Sequence, residues 1–190
     1  MHGILSGWTR RGVLVALSAF AVGCGGDSPT DGGGAGTYTA TISGALTGTI
    51  SGNAFFATGI DPDTQEQAWI AYLVDGNISS GFTAGDNVMF FGRGAPTERT
   101  YNLEDISTTN EFPDGEAGGF VITYTGQTLV GALGSTGGTL VVTSVSGTTM
   151  NGTFNFTAEG TIFTGGNPVV GSVTVTGSFQ ATGGNFLSPF

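Results

Sequence analysis

Lysine is absent from this chain of 190 residues, cysteine and histidine occur once each, and only 9% of residues are charged. The basic residues are Arg10, Arg11, Arg93 and Arg99, set against 14 acids, for a formal net charge of −10. A nucleic-acid binder needs clustered Lys and Arg to neutralise phosphates, so that function class is excluded, and a polybasic membrane patch goes with it. Coiled coils and long helices draw on Ala, Glu, Lys and Leu, which are scarce here. Disorder is excluded from the other side: 38% hydrophobic and 11% aromatic residues are enough to build a core.

The single cysteine stands at an informative place. Arg10 and Arg11 precede the apolar run Gly12–Val22, which ends in Ala21-Val22-Gly23-Cys24. A largely apolar run of eleven residues behind a basic start forms a secretory signal, too short for the ~20 residues that span a bilayer. Small residues before a cysteine at the edge of such a run resemble the lipobox of bacterial lipoproteins. The resemblance implies cleavage before Cys24, a diacylglyceryl group on its thiol and acylation of its new amine. Thr9-Arg10-Arg11-Gly12 also loosely resembles a twin-arginine signal. Gly25 follows Cys24 where an Asp would mark inner-membrane retention, which points to the outer membrane, facing the periplasm or the surface.

Removal of residues 1–23 would take away His2, Arg10 and Arg11. Arg93 and Arg99 would then face all 14 acids. A mature chain without His, Lys or a free thiol has no Ser-His-Asp or Cys-His catalysis, no Schiff base, and no His- or Cys-ligated metal. Carboxylate chemistry is what remains. The expected organisation is a signal over 1–23, a Gly-rich tether over 24–36, and one domain over 37–190.

That domain reads as all-β. Tyr38, Ala40, Ile42, Leu46, Ile50, Ala54 and Phe56 share one parity. Thr37, Thr39, Thr41, Thr47, Thr49, Ser51 and Asn53 share the other, which suggests one long strand bent at its glycines. Met150, Phe154, Phe156 and Ala158 alternate with Thr and Asn. Val169, Val173, Val175, Phe179 and Ala181 alternate with Ser, Thr and Gln. Two runs, Ala68–Val74 and Val88–Phe91, are apolar on both parities, as strands covered on both faces are. Turn signals fall at Asp75-Gly76-Asn77, Gly85-Asp86-Asn87, Gly137-Gly138 and Gly165-Gly166. The expectation is an antiparallel β-sandwich or small β-barrel of about ten strands. The runs Gly138–Thr143, Gly152–Phe154 and Val173–Phe179 look like those of Gly/Thr-rich β-sandwich lipoproteins, a resemblance that implies no function.

Four groups of residues are candidate sites. Asp61, Asp63 and Glu66 could offer oxygen ligands to Ca²⁺, but their spacing is not that of an EF-hand, and a hairpin turn accounts for them. The stretch Ser107–Gly119 carries Glu111, Phe112, Asp114 and Glu116 and is long enough to contact a partner, although a tolerated insertion accounts for it too. Any two of Glu98, Glu104, Asp105 and Glu159 could serve a glycosidase-like hydrolase, if a cleft set them at the right separation. Phe190 reads as a C-terminal aromatic packed on the domain. The expectation is therefore no catalytic residue, no metal, and no cofactor beyond covalent lipid on Cys24. The membrane is an expected partner, reached through that lipid, nucleic acid is not, and a protein or small-molecule partner is left open. The first functional expectation is a lipid-anchored, non-enzymatic binding or scaffold module of the cell envelope. A carrier of a small apolar ligand in a lipocalin-like barrel comes second, and a carboxylate hydrolase third.

Overall fold

The computed structural model describes residues 36–61, 65–75, 85–107, 116–126 and 128–183. Among them are nine strands and no helix. In chain order these are β1 Gly36–Gly44, β2 Gly48–Ile60, β3 Gln67–Val74, β4 Gly85–Arg93, β5 Arg99–Leu103, β6 Glu116–Thr125, β7 Thr128–Val145, β8 Thr149–Thr164 and β9 Asn167–Gly183. The all-β expectation holds.

The strands form one sheet that closes into a ring in the order β1-β2-β3-β4-β6-β5-β7-β8-β9, with β9 back on β1. The sheet is mixed rather than purely antiparallel. Two short parallel pairings, Phe55–Phe56 with Thr182–Gly183 and Asn102–Leu103 with Glu116–Ala117, interrupt the antiparallel order. Cross-strand partners define how far the strands slip as the ring closes. The row Thr37, Asn53, Val74, Asn87, Ile122, Ala132, Thr161, Val170 reaches β9 ten residues short of Gln180, the direct partner of Thr37. A stagger of that size tilts the strands steeply and gives an interior narrow enough for side chains to fill.

Side chains do fill it. Phe90 lies 5.1 Å from Phe154, 5.6 Å from Phe156 and 6.5 Å from Phe179, centroid to centroid. Leu73, Val88, Val121, Leu133, Leu140, Met150 and Val175 complete a continuous core around them. Trp69 meets the edge of Tyr101 at 5.3 Å. The buried Ser135 hydroxyl donates to Glu104 O at 2.6 Å and accepts from Gly119 N at 3.1 Å, joining β6 and β7 to the residues after β5.

Three sequence expectations need correction. The parity of residues 37–56 is right, but the chain is a hairpin, with Ile42 opposite Gly48. Gly44 (φ 116°) turns it, and a side chain there would run into Ser172 O. An odd number of connecting residues, here the three of 45–47, reverses the strand without changing which parity faces inward, so alternation alone does not reveal the turn. Gly137-Gly138 is not a turn. β7 runs through it with a register shift, and a Cβ on Gly138 would lie 2.4 Å from the Phe156 backbone. This merges two expected strands while the 37–56 hairpin splits one in two, and nine strands result against about ten expected. Gly85-Asp86-Asn87 is the start of β4, not a turn. Gly165-Gly166 does close the β8–β9 hairpin.

Candidate functional site

The inner faces of the strands are alike and their outer faces are not. On β1, β8 and β9 the outward residues are Thr37, Thr39, Thr41, Thr153, Asn155, Thr157, Thr174, Thr176, Ser178 and Gln180, nearly all exposed. Their register forms transverse rows, such as Thr49-Thr41-Thr176-Asn155-Thr139. Threonine suits this wall because its β-branch favours extended backbone and its hydroxyl stays solvated.

On β3 and along the stretches of β2, β4 and β6 that flank it, the outward residues are mostly apolar. Phe55, Tyr72, Met89 and Phe120 form one row, and Ala57, Ile70 and Phe91 the next. Tyr72, Val74 and Met89 are buried although they lie outside the ring. Phe91 stacks on Phe120 at 5.6 Å, and Gly118 leaves the floor open for the Phe91 ring. Ile106 lies over Gly134 beside Phe120 in the same way. This is the doubly covered character expected of the Ala68–Val74 and Val88–Phe91 runs. Burial first, and then the charge of Tyr124, hold the Tyr72 phenol well above the usual tyrosine range. Inside the rim, burial followed by Asp75 and Asp86 does the same to Tyr38, whose hydroxyl donates to Asp86 O at 3.2 Å.

The acidic candidates fall out as follows. Asp61 and Glu66 bracket the β2–β3 hairpin, closed by Asp61 N to Glu66 O at 2.8 Å and Gln65 N to Asp61 O at 2.8 Å. The Glu66 carboxylate pairs with the Arg93 guanidinium. Asp63 lies outside the described residues. Among the described residues no three acids gather as a metal group. Glu111, Phe112 and Asp114 lie outside the described residues, as do Cys24 and Phe190. Glu116 begins β6 opposite Asn102, so the strand takes up the last four residues of the expected 107–119 loop. Glu98 and Glu159 are exposed and lie on separate elements. Asp105 accepts from Ser107 N at 2.9 Å and Ser107 Oγ at 2.5 Å, a local turn. Glu104 is held through its backbone, its N–H donating to Ala117 O at 2.9 Å. A small surface depression of about 250 Å³ lies between β1 and β9, lined by Thr37, Tyr38, Thr39, Ser178, Phe179 and Gln180.

Sequence reasoning missed the exposed apolar end of the ring. Val169, expected inward, is 48% exposed, and Val170 is 76% exposed. Phe163 on β8 and Leu129 on β7 are exposed beside them. The signal that could have found them is length: β8 and β9 outrun β1, which ends opposite Val173. No family model, curated protein or solved structure matches the chain.

Proposed function

We propose that this chain is a lipid-anchored protein of the cell envelope, probed through its outer walls rather than its interior. Its β-domain acts as a non-enzymatic binding or scaffold module. The anchor is the acylated Cys24, read from the lipobox-like Ala21-Val22-Gly23-Cys24. Two or three acyl chains hold a protein effectively permanently, since each buried methylene contributes ~0.8 kcal/mol. Facing the periplasm or the surface from the outer membrane, the module would meet its partners there.

The observation that favours a module over a carrier is the filled interior. The rings of Phe90, Phe154, Phe156 and Phe179 meet across the ring's centre, where a carrier would keep its ligand. The two unlike outer walls are then the surfaces that offer chemistry to a partner. Fractionation tests the reading: the full chain sediments with membranes and incorporates labelled palmitate, and Cys24→Ser does neither. A Cys24→Ser chain that stays with membranes, or a full chain recovered in the soluble fraction, would overturn it.

A further inference from the structure

The apolar end of the ring lies where the β6–β7 and β8–β9 hairpins project. Gly131 pairs with Ile162 and Thr161 with Val170, so Leu129, Phe163, Val169 and Val170 stand on three adjacent strands. They are four of the five exposed large hydrophobic residues among those described; the fifth, Ile60, stands at the far end of β2. The β1–β2 turn marks the same end, because Ala45 N donates to Ser172 O at 2.9 Å.

Two features decide what covers this end. First, it is apolar on both sides. Phe163 and Val170 follow the outward parity, and Leu129 stands opposite outward-facing Tyr124 across a register shift, while Val169 pairs with the core residue Ile162. A flat protein interface covers one side of a hairpin, whereas an apolar solvent covers both. Second, the projecting ends of its β6–β7 and β8–β9 hairpins carry no charged side chain; the acids on the same side of the ring are Asp75, just after β3, and Asp86, at the start of β4. From residue 117 to residue 190 the only charged side chain is Glu159, so the acids that give the chain its net charge are concentrated elsewhere. Charged groups are costly at a bilayer and uncharged β-hairpin ends are not.

We propose that this end of the ring, built from Leu129, Phe163, Val169 and Val170, seats against the phospholipid surface. The proposal rests on the reading that Cys24 is acylated. Residues 25–35 join Cys24 to Gly36, which opens β1 at the end away from Gly44, so the tether has to run back along β1; extended at about 3.3–3.6 Å per residue its eleven residues span about 36–40 Å, enough to let the domain turn its apolar end to the bilayer. The partner is a zwitterionic bilayer, since no basic side chain at this end would select an anionic one.

The test uses the full acylated chain in vesicles of phosphatidylcholine brominated on its acyl chains, which quench tryptophan on contact. Trp69 is buried in the core and supplies a constant background. Phe163→Trp loses most of its added emission in these vesicles, and Ile60→Trp, at the opposite end, keeps it. Equal quenching at both positions, or none at 163 on vesicle-bound protein, overturns the proposal. In the Cys24→Ser chain, adding Phe163→Asp and Val170→Asp lowers partition into phosphatidylcholine vesicles at least about tenfold, and an unchanged partition overturns it as well. A change from dimer to monomer on sedimentation of the same variant would mean that a second copy covers this end, against the proposal. Failure of the anchor reading shows separately, as a purified chain whose mass carries no acyl groups.

Discussion

The wall of β1, β8 and β9 and the wall of β2, β3, β4 and β6 enclose one core and present opposite exteriors. Away from its apolar end, the first presents mostly solvated Thr, Ser, Asn and Gln, and the burial of β1 alternates residue by residue. On the second, the outward Tyr72, Val74 and Met89 are as inaccessible as many core residues. The first wall is therefore half a fold, stabilised by its inward residues alone. The second is packed on both faces, so substitutions on either parity of its strands reach buried surface.

The largest effect lies in the core the two walls share. Phe90→Ala removes a ring that meets Phe154, Phe156 and Phe179 and costs about 3–5 kcal/mol in urea denaturation. A loss under about 1 kcal/mol would mean the interior is less filled than described.

Next comes the apolar wall's floor. A Cβ at Gly118 would fall 2.3 Å from the Phe91 ring, so Gly118→Ala costs about 1–3 kcal/mol, whereas Gly48→Ala, with nothing within 4 Å, stays within about 0.5 kcal/mol. Both are read by the same denaturation.

The two buried phenols sharpen the comparison by pH, one lying outside the ring and one inside its rim. Folding raises the pKa of Tyr38 and of Tyr72, so the folded state binds these protons more tightly than the unfolded state. Their contribution is complete below the unfolded tyrosine pKa of about 10 and is lost as pH climbs above it. Stability should fall above that pH, and Tyr72→Phe should flatten part of the fall. An unchanged profile in both Tyr72→Phe and Tyr38→Phe would contradict the burial assigned to them.

The smallest effect is at the β2–β3 hairpin. Glu66→Gln breaks the pair with Arg93, which is exposed at the surface, and costs about 0–1 kcal/mol. Millimolar Ca²⁺ should shift the melting temperature no more than NaCl of matched ionic strength, because the hairpin closes through backbone bonds rather than around an ion. A Ca²⁺-specific rise abolished by Asp61→Asn would promote the metal site.

Alternation made the inner faces legible: Tyr38, Ala40, Ile42, Met150, Phe154, Phe156, Val173 and Val175 all lie where period two puts them. The double apolar runs likewise marked β3 and β4. Closure was not legible, because it depends on a ten-residue stagger accumulated over strands far apart in sequence. Glycine was ambiguous for a physical reason: the same lack of a side chain serves a turn at Gly44, a bulge at Gly138 and a ring's resting place at Gly118. Val169 escaped because inward parity buries a residue only where the ring has an opposite wall.

The difference between the walls is tested most directly by one pair of unfolding curves. Met89→Ala and Thr176→Ala both truncate outward side chains, the first on the apolar wall and the second on the threonine wall. Met89→Ala should lower the unfolding free energy by about 2–5 kcal/mol and Thr176→Ala by no more than about 0.5 kcal/mol. Equal losses would contradict the account, since both walls would then be ordinary solvated exteriors.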